Sequence, residues 1–95
     1  MQVVVRAYSG EGATQVFDLL EENKTEVENL MREVQGIVSY TLARSGDGGY
    51  SVTICQDKAG IDESVEKARA YIQSIAGNIT ASAPDILDGA IIIHV

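Results

Sequence analysis

The sequence predicts an α+β domain in the order β-α-β-β-α-β, on three observations. Ser39 to Asp57, SYTLARSGDGGYSVTICQD, reads as two strands joined through Ser45-Gly46-Asp47-Gly48-Gly49. Apolar residues recur at helical spacing ahead of that hairpin and again behind it. The two chain ends, MQVVVRAY and GAIIIHV, are rich in β-branched residues, which suit strands. Two helices packed on one face of a four-stranded antiparallel sheet make the ferredoxin-like arrangement.

The first strand spans Gln2 to Tyr8, and its three consecutive valines indicate that both faces are covered. Ser9-Gly10-Glu11-Gly12 breaks it. From Ala13 to Val34 the apolar residues Val16, Leu19, Leu20, Val27, Leu30, Met31 and Val34 mark one helical stripe, with acidic and basic residues on the outer face. Gly36 is the expected stop. Ile37 to Arg44 and Tyr50 to Gln56 are the hairpin strands. A three-residue loop, Gly46-Asp47-Gly48, would pair Arg44 with Tyr50 and Leu42 with Val52. Asp57 is the expected N-cap of a second helix over Lys58 to Ala76, with Ile61, Val65, Ala68, Ile72, Ile75 and Ile79 as its buried stripe. Thr80 to Asp88 reads as a loop around the single proline, Pro84, and Gly89 to Val95 as the last strand.

Alternation sorts the strands into two faces. The first holds Val3, Val5, Ala7, Val38, Tyr40, Leu42, Tyr50, Val52, Ile54, Ile91, Ile93 and Val95. As the more apolar set, it is expected to carry the helices. The second holds Val4, Arg6, Tyr8, Ile37, Ser39, Thr41, Ser51, Thr53, Cys55, Ile92 and His94. Two helices cannot cover both faces, and an uncovered apolar patch marks an interface. The second face is therefore expected to pair with a second copy as a symmetric homodimer.

At 95 residues the chain is expected to be a single domain, residues 1–95. Fourteen acidic against seven basic residues give a net charge of −7, which argues against nucleic acid or an anionic membrane as a partner. The longest wholly apolar run, Ala90 to Ile93, is far short of a membrane span. The N-terminal residues lack a basic leader with an apolar run behind it, and one cysteine cannot form an internal disulfide. Both features point to the cytoplasm.

No motif specifies a reaction. Gly10-Glu11-Gly12 sits where a phosphate loop would, but Glu11 would repel phosphate and the third glycine is missing, so it reads as a turn. The hairpin turn has too few carboxylates for calcium. A single histidine, His94, excludes a histidine-rich metal site. Tyr40 and Tyr50, both sorted to the helix side, either belong to the core or line a pocket between sheet and helices. Arg6, Tyr8 and His94 share the other face and are the remaining binding candidates. Cys55 reads as a small buried hydrophobe. No catalytic residue is specified, and no metal or cofactor is expected.

With its β-α-β-β-α-β pattern, an amphipathic sheet face and a C-terminal strand, the chain resembles the dimeric α/β-barrel superfamily. That group includes antibiotic-biosynthesis-type and haem-degrading monooxygenases. The stretches Val3-Val4-Val5-Arg6-Ala7-Tyr8-Ser9-Gly10 and Gly49-Tyr50-Ser51-Val52-Thr53-Ile54-Cys55 also resemble small uncharacterised bacterial proteins of this kind. The resemblance implies two sheets facing each other in a dimeric barrel, with a ligand pocket between each sheet and its helices. Oxygenase members use Asn, Trp and His there. This chain has no Trp, no Asn in its first strand and its one His in the last, so that set does not carry over. The expected function is binding of a small apolar or aromatic molecule. The alternatives are a cofactor-independent monooxygenase or isomerase, or a dimer with a purely structural role.

Overall fold

Residues 1–95 are all described in the computed structural model. The elements are β1 (Gln2–Tyr8), α1 (Ala13–Glu22), α2 (Lys24–Arg32), β2 (Ile37–Ser45), β3 (Gly48–Cys55), α3 (Lys58–Ala76) and β4 (Asp85–Ala90). All strand pairs are antiparallel, in the spatial order β2-β3-β1-β4. The predicted α+β, ferredoxin-like fold is therefore the observed one, with β1 central and β4 at an edge.

The first predicted helix is divided at Asn23. The Asn23 backbone N–H and its side-chain Nδ2 both donate to the Leu19 carbonyl, at 3.1 and 2.8 Å, while Val27 N–H donates to the Asn23 carbonyl at 3.1 Å. An asparagine side chain competing for a helical carbonyl explains why the turn breaks there. The second predicted helix holds its bounds. Asp57 caps it as expected, accepting from Gly60 N–H at 3.2 Å.

The hairpin register differs from expectation by one residue. Ser45 pairs with Gly48, Arg44 with Gly49 and Leu42 with Ser51, so the turn is the two-residue Gly46-Asp47. Gly46 occupies φ 59°, the positive value that a tight hairpin turn asks of its first central residue. A one-residue slip exchanges the faces of every residue on the shifted strand. On β2, a bulge between Ile37 and Ser39 adds one residue, Val38.

The consequence corrects the face assignment. Val4, Arg6 and Tyr8 of β1 and Ser51, Thr53 and Cys55 of β3 lie under the helices, together with Tyr40 and Leu42 of β2. Val3, Val5, Tyr50 and Val52 lie on the outer face, so Tyr50 does not face the helices. The three valines of β1 supply apolar surface on both sides, and apolarity alone could not choose between them.

The last strand is also displaced. β4 begins inside the predicted loop, overlaps the predicted strand only at Gly89 and Ala90, and pairs Asp85 with Ala7 through Ala90 with Gln2. Only Ile91 continues the ladder, its N–H donating to the Met1 carbonyl at 3.0 Å; Ile92, Ile93, His94 and Val95 are exposed. The sequence Asp-Ile-Leu-Asp-Gly-Ala suits an edge strand, and all six of its residues are exposed in the single chain. The apolar run that resembled a strand has no cover within one chain.

Two clusters form the core between helices and sheet. One joins Val4, Met31, Val34, Cys55, Ile61 and Ala68. The other joins Val16, Phe17, Leu20, Val27 and Ala76. No helix is long and apolar enough to cross a membrane.

Candidate functional site between sheet and helices

A cavity of about 330 Å³ opens between β1, the start of α1, the C-terminal half of α3 and the segment leading into β4. Arg6 and Tyr8 form its sheet wall, Val16 and Ile72 its helix walls, and Ala81 to Pro84 its rim. The rim is tied down by Ser82 N–H, which donates to the Glu11 carbonyl at 3.0 Å. The β1–α1 loop beside it is held by the hairpin turn. Gly10 N–H donates to Asp47 Oδ2 at 3.1 Å, and Thr14 Oγ1 donates to the Asp47 carbonyl at 2.6 Å.

Arg6 is the unusual residue of this wall. It is only 4% exposed, and no carboxylate lies within 4.0 Å of it. Its guanidinium carbon sits 5.9 Å from the Tyr8 ring centroid, within cation–π range, and the Tyr40 hydroxyl lies beside it. Tyr8 in turn meets Phe17 edge to face, with centroids 5.8 Å apart at 63°. Directly across the β1–β3 ladder from Arg6 stands Ser51, 1% exposed, whose Oγ has no hydrogen-bond partner.

Burial raises the Tyr8 hydroxyl above its ordinary pKa, opposed by the nearby Arg6 charge. Burial raises Tyr40 likewise, again opposed by Arg6 and reinforced by Tyr8. Both phenols therefore stay protonated at neutral pH and can donate a hydrogen bond. A second cavity of about 320 Å³ lies towards β2, between Phe17, Tyr40, Leu42 and Arg44. A void of about 10 Å³ bounded by Arg6, Tyr8 and Tyr40 lies between the two.

Of the five residues singled out in the sequence, Arg6 and Tyr8 line the larger cavity, and Tyr40 joins them at the small void between the two cavities. Tyr50 is 40% exposed on the outer face, and His94 is exposed beyond β4, so neither reaches this cavity. Cys55 is buried, and its thiol is pushed up by burial and by Asp57 and Glu63, which disfavours a nucleophilic thiolate. No group of three or more His, Cys, Asp or Glu side chains is placed to hold a metal. Sequence reasoning missed Ser51 and the rim. Serine opposite Arg6 becomes a signal only once the register is known, and Ala81 to Pro84 carries no signal beyond that of a loop.

No known protein-family description matches the chain, and no curated protein sequence matches it. Solved structures do. A protein of unknown function from Nitrosomonas europaea, NE2512, superposes with a TM-score of 0.72 at 17% identity, over 98% of this chain and 89% of its own. The heme-degrader MhuD from Mycobacterium tuberculosis, with two hemes bound in its active site, superposes with a TM-score of 0.68 at 18% identity, over 100% and 99%. The ActVA-Orf6 monooxygenase of Streptomyces coelicolor, in complex with Nanaomycin D, gives 0.57 at 21% identity, over 98% and 91%. The chain thus shares the ferredoxin-like α+β fold of these three proteins over 98–100% of its length.

Proposed function

We propose that this protein binds a small apolar or aromatic molecule in the cavity between sheet and helices. The observation that carries the reading is the cavity itself: its volume falls in the range of small-molecule sites, and its lining is mostly apolar with a few convergent polar groups at the Arg6–Tyr8 wall. Structural neighbours that hold hemes or Nanaomycin D support it. The test is titration of the labelled protein with the neutral probe naphthalene-2-carboxamide, followed by amide NMR. Shifts concentrated at Arg6, Tyr8, Ile72 and Ile79 are expected. Shifts absent, or confined to the outer face, would remove this reading.

The protein is proposed to work as a homodimer in the cytoplasm. The outer sheet face supports the dimer, because Val3, Val5, Val52, Tyr50 and Leu87 form an apolar surface that no helix covers. The lone buried Cys55 suits a reducing compartment.

A second reading, a cofactor-independent monooxygenase or isomerase, is favoured by the protonated Tyr8 and Tyr40 hydroxyls flanking Arg6. Such donors could stabilise an oxyanion developing on a bound substrate. Oxygen consumption with a quinol substrate, lost in Tyr40→Phe, would favour it. Binding of the quinol without turnover would leave the binder.

A further inference from the structure

We infer that the ligand of this cavity carries an anionic group, of carboxylate type, on its apolar body, and that Arg6 receives it. The inference rests on the cavity being the binding site and adds the ligand's charge to that reading.

Three observations carry it. First, Arg6 is buried without a carboxylate partner, and a buried charge is costly until something pairs with it. Arginine's planar fork matches a carboxylate's two oxygens. Secondly, the charge around the cavity is one-sided. In a chain with fourteen acidic and seven basic residues, the charged lining residues are Arg6 and Arg69, with no Asp or Glu among them. Arg69 is already paired with Glu66 and exposed, which leaves Arg6 as the free cation. Thirdly, the Ser51 hydroxyl, buried and unpartnered, stands directly opposite Arg6 on the helix side of the sheet. Tyr8 and Tyr40 add two hydroxyl donors on the same face. Arg6 and Tyr8 line the cavity, Tyr40 meets them at the small void beside it, and Ser51 stands behind Arg6 in the sheet, so the donors gathered at this wall have no anionic acceptor among them and the apolar cavity sets the rest of the ligand.

The experiment compares naphthalene-2-carboxylate with the isosteric, neutral naphthalene-2-carboxamide by calorimetric titration at neutral pH. The wild-type protein is expected to prefer the carboxylate by about ten-fold or more, in line with hydrogen bonds to charged groups. Arg6→Gln should abolish that preference, bringing the two probes to within about three-fold of each other, a margin below one tenfold step. Ile86→Glu is the second variant. Ile86 pairs with Arg6 from β4, lines the cavity and is 49% exposed, so the change leaves the core intact and sets a carboxylate beside the guanidinium. It should remove the carboxylate preference from within. Equal affinity for both probes in the wild-type protein overturns the inference and leaves the apolar pocket standing. A preference that survives both variants also overturns it, since the anion would then be held elsewhere. Failure of both probes to bind removes the pocket itself, and the anion site with it.

Discussion

Ser51 stands directly opposite Arg6 in the β1–β3 ladder, and both side chains are buried on the helix side of the sheet, at 1% and 4% exposure. The Ser51 Oγ has no partner in the protein alone. A buried hydroxyl without a hydrogen bond costs about 1–3 kcal/mol, and removing it recovers part of that. Ser51→Ala is therefore expected to raise the stability of the ligand-free protein by about 1 kcal/mol, read from urea unfolding at an unchanged slope. A loss of stability would show that the hydroxyl is satisfied in the free protein.

Gly49 lets β3 approach α1. A Cβ at this position would lie 2.4 Å from Cε2 of Phe17 and 2.2 Å from the Ala43 carbonyl oxygen. The carbonyl belongs to the paired strand and cannot yield without breaking the ladder. Phe17, 1% exposed, packs against the Tyr8 ring and has little room to move. Gly49→Ala is expected to cost about 1–3 kcal/mol, as overpacking does, seen as a lower urea midpoint. A neutral substitution would mean that α1 can shift away from the sheet.

The helices were legible because their stripes recur at a period the sheet cannot imitate; Lys58 and Ala76 bound α3 as expected, with Asp57 as its cap. The break at Asn23 was not, because it turns on one side-chain amide competing for the Leu19 carbonyl rather than on periodicity. The faces failed for a different reason. Val3, Val4 and Val5 offer the same chemistry on both sides of β1, and the turn admitted either two or three residues, so the register hung on one position. The helix side then proved the more polar one, carrying Arg6, Ser51 and Thr53. Arg6, Tyr8 and Tyr40 could be named as candidates from the sequence, yet their meeting required the register. Tyr50 and His94 were misplaced for the same reason and for the displaced last strand.

The buried phenols give the protein an alkaline limit. Tyr8 and Tyr40 have raised pKa values in the folded state, with burial as the main cause. Between the unfolded value, about 10, and the raised folded value, the folded chain holds more protons than the unfolded one. Their contribution is therefore complete below about pH 10 and is lost as pH rises through the folded values. Stability in urea should fall on titration above that point, and the fall should be shallower in Tyr8→Phe and Tyr40→Phe. An identical slope in both variants would assign the alkaline loss to other groups.

The outer sheet face makes the last prediction. Leu87 is 75% exposed on edge strand β4 and pairs with Val5 of β1, which pairs in turn with Val52 of β3. Three apolar residues thus run in a row across a face that no helix covers, and Tyr50 stands exposed beside them. A self-complementary apolar surface of this kind is what a two-fold dimer buries. Leu87→Asp places a charge on that surface while disturbing a single protomer little, within about 0.5 kcal/mol for an exposed position. Light scattering at micromolar concentration should give a dimer mass for the wild-type protein and a monomer mass for the variant, with the far-ultraviolet spectrum unchanged. A dimer that persists in Leu87→Asp would place the interface elsewhere, and a wild-type monomer would mean that the outer face meets solvent.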